Sequence, residues 1–205
     1  MTRRLWILGL AIWLAGCATQ RVRPASEPSA AHVAQGERLL SERESALFER
    51  ENFDLSGRIA ISDGHDGGSG RFEWEQRGRA FSLRFYAPIS AQNWRLEVQP
   101  GQALLIESNG AVRVASSAEE LLARELKWNL PADALRYWVL GMRAPGAESV
   151  AEYADDGRLA SLKQRGWEIR YIDFDRDGEP PLPRKLYARS GDHQVRISVR
   201  RWNFR

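Results

Sequence analysis

The sequence predicts an α+β domain: a single curved antiparallel sheet of about eleven strands around a few helices. Three observations predict it. Apolar residues alternate with polar ones at a period of two through most of the chain, the pattern of strands that bury one face. Gly, Pro, Asn and Asp recur between those runs at the short spacing of hairpin turns. Three segments carry a helical period instead, with start or stop signals.

Taken in order, the first element is an amphipathic helix from Glu37 to about Glu51, with Leu39, Leu40, Leu47 and Phe48 set among charges; its simplest role is to cap a sheet. The alternation then begins with Phe53, Leu55, Gly57, Ile59 and Ile61. Phe72 and Trp74 follow a Gly- and Asp-rich loop at 63–68, and Phe81, Leu83 and Phe85 continue the pattern. After a loop at Pro88 come Trp94, Leu96 and Val98, then Leu104 and Ile106, then Val112 and Val114, with turns at Pro100-Gly101 and Asn109-Gly110. This is a meander of about six strands with one apolar face.

Two helices interrupt it. Ser116 and Ser117 precede Glu119 and Glu120 by three residues, giving overlapping capping boxes for a helix through Leu121, Leu122 and Leu126. Pro131 opens the next, in which Leu135, Trp138 and Val139 share a face and Gly141 supplies the stop. Strands return over 149–154, 159–164, 167–174 and 185–188, and at Val195, Ile197 and Val199.

A chain of 205 residues, 43% hydrophobic and 28% charged, is enough for one domain with a core, and is neither a disordered tail nor a multidomain enzyme. Lys and Arg number 30 against 27 Asp and Glu, and the balance of +3 falls to +1 once Arg3 and Arg4 are discounted. A body so near neutrality lacks the broad positive field of a nucleic-acid binder, so nucleic acid is not expected as a partner, though a local basic patch stays open. The sole Cys excludes an internal disulfide, and three scattered His (His32, His65, His193) make no metal pattern, so neither metal nor cofactor is expected.

Candidate chemical motifs fail on inspection. Asp173 to Gly178 resembles the start of a calcium loop, but Arg184 stands where the bidentate Glu belongs. Ser69 lacks the second Gly of a nucleophile elbow, because Arg71 occupies that place. Catalysis is not expected.

The N-terminus reads as an export signal over residues 1–16. Arg3 and Arg4 precede the ten-residue apolar stretch Leu5 to Leu14, half of the roughly 20 residues that span a bilayer. Leu14-Ala15-Gly16-Cys17 then resembles the lipobox of bacterial lipoproteins, in which Cys17 would become the first, acylated residue of the mature chain. By the same resemblance, Ala18 after the acylated Cys points to the outer membrane, with the chain lipid-anchored on its periplasmic face. Residues 17–36, rich in Ala, Ser and Pro, read as the acylated Cys and a flexible tether, leaving 37–205 as the domain.

Beyond the signal the chain keeps six of its eight Trp and all seven Phe. Large side chains fill cores, and they also wall cavities that hold apolar ligands. Six stretches in order, Phe53-Asp54-Leu55-Ser56-Gly57-Arg58-Ile59-Ala60, Phe72-Glu73-Trp74, Ala87-Pro88-Ile89, Leu135 to Gly141, Gly157-Arg158-Leu159 with Gln164 to Ile169, and Pro181 to Leu186, together resemble the LolB family of outer-membrane lipoprotein receptors. The resemblance covers about residues 35–205. It implies an open half-barrel of about eleven strands, with helices as a lid over an apolar cavity. It also implies that acylated lipoprotein cargo is accepted from the periplasmic carrier LolA and placed in the inner leaflet of the outer membrane, by a monomer that uses no cofactor. The family's delivery element is an apolar loop tip; here it falls on Pro88 and Ile89, with Ile89-Ser90 where the family usually carries Leu-Gly.

Such cargo could not cross water freely. Three acyl chains of about fifteen methylenes each would cost about 36 kcal/mol at ~0.8 kcal/mol per methylene. The expected acyl-chain cavity walls are Leu55, Ile59, Trp74, Leu83, Phe85, Leu96, Leu122, Trp138 and Val139. A one-residue register slip would turn the other sheet face inward. Two rivals stay open: a structural outer-membrane lipoprotein acting as an assembly scaffold, favoured by a filled interior, and a periplasmic lipid hydrolase.

Overall fold

In the computed structural model, which describes residues 29–87, 93–175 and 177–205, the alternating runs form the expected antiparallel strands. Helix α1 (Ala30–Phe48) precedes a meander of β1 (Asn52–Ser62), β2 (Gly67–Arg77), β3 (Ala80–Tyr86), β4 (Asn93–Gln99), β5 (Gln102–Glu107) and β6 (Val112–Ala115). Helices α2 (Ala118–Leu126) and α3 (Ala132–Trp138) follow. A second meander closes the chain: β7 (Ser149–Tyr153), β8 (Leu159–Gln164), β9 (Trp167–Phe174), β10 (Pro183–Ser190) and β11 (His193–Phe204).

All eleven strands join one sheet in the order β6-β5-β4-β3-β2-β1-β11-β10-β9-β8-β7, so the first and last strands pair and the two meanders become two halves. β6 and β7 are its edges and do not pair with each other, leaving the sheet open. The β1–β11 register runs from Phe53 opposite Phe204 to Ser62 opposite Gln194 and shifts between Ser56 and Gly57, where Arg200 is the extra residue of a bulge. Bulges increase local bend and twist. Gly57 is required there, because a Cβ would strike the Ser198 carbonyl oxygen.

One face of the sheet is buried from β5 through β8, while the edge strands β6 and β7 carry no fully buried residue. Phe53, Leu55, Ile59 and Ile61 of β1 share it with Phe72 and Trp74 of β2, and with Val195, Ile197 and Val199 of β11. The face that buries these residues is the one the alternation puts together, and the Arg200 bulge keeps Trp202 and Phe204 opposite Leu55 and Phe53 on that face.

The N-terminal boundary differs from expectation. Helix α1 does not begin at Glu37: Ala30 to Gly36, expected in the tether, are its first turns. Ser29 caps the helix by accepting the His32 backbone N–H at 3.2 Å. Gly36 then packs flat on the Tyr153 ring, which any Cβ would strike, so the contact carries no apolar signal in the sequence. Residues 1–28, including the signal segment and Cys17, lie outside the described residues.

The two predicted caps resolve into a division of labour. Ser117 accepts the Glu120 N–H at 3.2 Å, and the Glu120 carboxylate reaches back to the Ser116 N–H at 3.2 Å, closing one capping box. Glu119 is not part of it. Its carboxylate accepts the Asp133 N–H at 2.9 Å in the first turn of α3, tying the two helices together.

Candidate functional site

Between the inner face of β1–β4 and the α2–α3 pair lies a space lined wholly by apolar side chains. Six of the nine expected wall residues meet there: Ile59, Trp74, Leu83, Phe85, Leu96 and Leu122. Burial is the only interaction such a lining offers, and no acid, base or nucleophile faces it.

The other three stand elsewhere. Leu55 is buried on the same face of β1, opposite Trp74 and Trp202, outside this lining. Trp138 and Val139 are a correction: both are buried, but α3 divides its inner surface, with Leu135 toward the space and Trp138 toward the second half of the sheet. The Trp138 indole N–H donates to the Gln164 side-chain oxygen of β8 at 3.0 Å, which turns the ring away.

Several lining residues were not named from the sequence. Ile61, Phe72, Phe81, Trp94 and Ile197 lie on the same alternation and were available from it. Trp128 and Leu130 were not, because the α2–α3 connection has no period to read. Pro88 and Ile89 lie outside the described residues, so the loop tip has no structural account here.

Half-buried Trp128 packs onto the aromatic part of this lining. Phe85 and Trp94 stack at 5.1 Å, and Trp128 sets its ring edge-on to both, at 5.7 and 5.6 Å. The free volume left is about 30 Å³, room for roughly two water molecules and far below the ~300–1,000 Å³ of an ordinary ligand pocket. The apolar lining therefore encloses a nearly filled interior.

The second half is closed differently. Gln164, itself buried, also accepts the Ala144 N–H at 2.8 Å and donates to the carbonyls of Ala144 at 2.8 Å and Ala147 at 3.1 Å. The Tyr171 hydroxyl donates to the Trp138 carbonyl at 3.0 Å, and burial pushes its pKa well up. Arg143 binds Glu44 at 2.7 Å and Glu37 at 3.0 Å on α1; hydrogen bonding to Glu44 is the main cause that holds its guanidinium charged. Burial, with Glu37 nearby, likewise raises the Tyr153 hydroxyl.

Among the described residues no group of three or more His, Cys, Asp or Glu could hold a metal, and no helix is long and apolar enough to cross a membrane.

The open antiparallel sheet with helices over an apolar interior recurs in solved structures. A LolA-superfamily protein from Nitrosomonas europaea superposes with a TM-score of 0.56 at 10% identity, covering 83% of this chain and 93% of that one. A putative outer-membrane lipoprotein-sorting domain from Vibrio parahaemolyticus gives 0.52 at 6% identity, covering 84% and 93%. Residues 51–202 match the family Outer membrane lipoprotein LolB. The chain is 36% identical to the outer-membrane lipoprotein LolB of Nitrosococcus oceani over 197 residues, 96% of this chain and 94% of the relative. It is 37% identical to that of Alkalilimnicola ehrlichii, over 98% and 96% of the two. The chain belongs to the LolB family of outer-membrane lipoproteins, which is not a family of enzymes.

Proposed function

We propose that this chain accepts acylated lipoproteins from the carrier LolA into the space under α2 and α3, and releases them into the inner leaflet of the outer membrane. The observation that carries the reading is the chemistry of the lining: fifteen aliphatic and aromatic side chains with no charged, hydroxyl or amide residue among them. Acyl chains need nothing else from a protein. With only about 30 Å³ free, an incoming chain has to displace Trp128 and spread the lid, so apolar contacts in the empty state are exchanged for apolar contacts to cargo. That exchange keeps cargo affinity moderate, which a receptor without an energy source needs if the bilayer is to take the cargo onward.

The filled interior also favours a second reading, a structural lipoprotein that uses its sheet for protein contacts. One experiment separates the two. The chain from Ala18 to Arg205, which keeps every described core side chain, is mixed with cargo-loaded carrier and the proteins are separated. Receptor function puts the cargo on this chain, and an Ile89→Glu variant accepts cargo yet fails to pass it to liposomes. Cargo that stays on the carrier sinks the receptor reading and leaves the structural one.

A further inference from the structure

The outer face of the sheet has two electrostatic parts. Toward β4 its arginines are paired: Arg77 with Asp54 at 2.6 Å, Arg84 with Glu73 at 3.5 Å, Arg95 with Glu97 at 3.1 Å. In one patch spanning β2, β1, β11 and β10, between the pairs Arg77–Asp54 and Arg189–Glu168, the pairing stops. Arg71 and Arg58 stand directly opposite each other, and Ser198 separates Arg58 from Lys185 in the same row. In the next row Arg196 lies over the Tyr187 ring at 5.6 Å.

These four cations are exposed and line one groove of about 680 Å³. None of them is within ion-pair distance of a carboxylate among the described residues. A hollow of about 320 Å³ shares Arg58 and Arg71 and adds Arg200, the bulge residue; its carboxylate, Glu73, is held by Arg84. Like charges facing each other across a strand pair destabilise it, so the fold tolerates a repulsion that an external polyanion would relieve.

We propose that this groove docks on the anionic phospholipid headgroups of the membrane that receives the cargo. The proposal rests on the delivery reading above. The row from Arg71 to Lys185 crosses three strand spacings, roughly 14 Å, which suits several headgroups better than one free phosphate ion. Arg71 is the register partner of Tyr86, two residues before Pro88, so the row begins at the base of the delivery loop. An acylated Cys17 would also make the membrane the polyanion at the highest local concentration. Tyr187 adds an amphipathic ring of the kind that sits well at a headgroup boundary.

The test sediments the Ala18–Arg205 chain with cargo-free vesicles of phosphatidylcholine, with and without phosphatidylglycerol, at low and at physiological salt. Binding is expected to the anionic vesicles and to weaken with salt. The double variant Arg58→Gln/Arg71→Gln binds about twentyfold less, one charge near an anionic leaflet being worth roughly fivefold. Arg58→Lys/Arg71→Lys keeps binding, and Arg84→Gln, whose partner is on the same face, changes it less than about twofold. All these side chains are solvent-facing, and far-ultraviolet circular dichroism checks that each variant is folded. Equal binding by wild type and the Gln double variant overturns the proposal. So does release by millimolar inorganic phosphate, which would mark a free-anion site, or a double variant that keeps its vesicles but loses the carrier, which would mark a protein-docking face. Cargo acceptance is scored on the same proteins: its failure in the wild type sinks the delivery reading, whereas vesicle failure with acceptance intact sinks only the headgroup surface.

Discussion

The half of the sheet from β1 to β6 and the half from β7 to β11 both bury aromatic side chains under helix, and they are held by opposite means. In the second half three large contacts end in directed polar bonds: Trp138 on Gln164, Tyr171 on the Trp138 carbonyl, Arg143 on Glu44 and Glu37. Over the first half, Leu122, Trp128, Leu130 and Leu135 meet the sheet by apolar contact, and among the described residues the polar ties stand at the margins, from Arg124 to the Val114 carbonyl, from Arg113 to Glu125 and from Arg136 to the Gly78 carbonyl. Directed bonds are lost when a helix moves, because their partners are left buried and unpaired. Apolar contact is non-directional and can be replaced by contact with another apolar group. On the proposed function, the half with few directed bonds is the one expected to open.

The largest test of that contrast is Gln164→Leu, which strands an indole N–H and the Ala144 and Ala147 backbone groups together. It should cost about 3–5 kcal/mol in urea unfolding. Its counterpart Gln76→Leu releases the Trp74 indole and the Gly78 and Ala80 carbonyls beside an exposed turn, and should cost less, about 1–3 kcal/mol. Equal losses would erase the difference between the halves.

Trp128→Ala sharpens the comparison from the other side. Half-buried Trp128 should cost about 1–3 kcal/mol in stability, yet the vacated room should raise affinity for a fluorescent fatty-acid probe several-fold. A fall in probe affinity would mean that Trp128 is a wall and not a plug. Arg143→Met should cost about 1–2 kcal/mol and speed amide exchange in α1, with probe binding unchanged, because its partners Glu37 and Glu44 lie in the other half.

The smallest effect is in acid. Partial burial pushes the Asp54 carboxyl up, but hydrogen bonds and charge from Arg77 and Arg205 outweigh it and hold its pKa below the ordinary carboxylate value. A depressed pKa contributes stability above the unfolded value near 4, and that contribution is lost as pH falls through the folded value. Melting temperature should therefore drop less steeply below about pH 4 in Asp54→Asn than in the wild type. Parallel curves would show that the β1 end gains nothing from this cluster.

The strands were legible because half-burial imposes a period of two, and Phe53 to Ile61 or Phe81 to Phe85 carry it without interruption. The caps of α2 were legible for a similar reason, since Ser117 and Glu120 satisfy backbone groups a few residues away. The start of α1 was not, because its contact with Tyr153 is made by a glycine. Nor was the second use of Glu119, on an amide fourteen positions further along the chain.

Local pattern by itself thus determined the element types, the inward face of the sheet and six of the nine expected wall positions, since each follows from neighbours along the chain or from one alternation. Tertiary structure alone decided that Trp138 serves the second half, that Trp128 packs edge-on against Phe85 and Trp94, and that Arg58, Arg71, Lys185 and Arg196 share one unpaired groove. Those outcomes depend on which strands pair. The pairing of β1 with β11 brings together residues more than a hundred positions apart, and no local period encodes it.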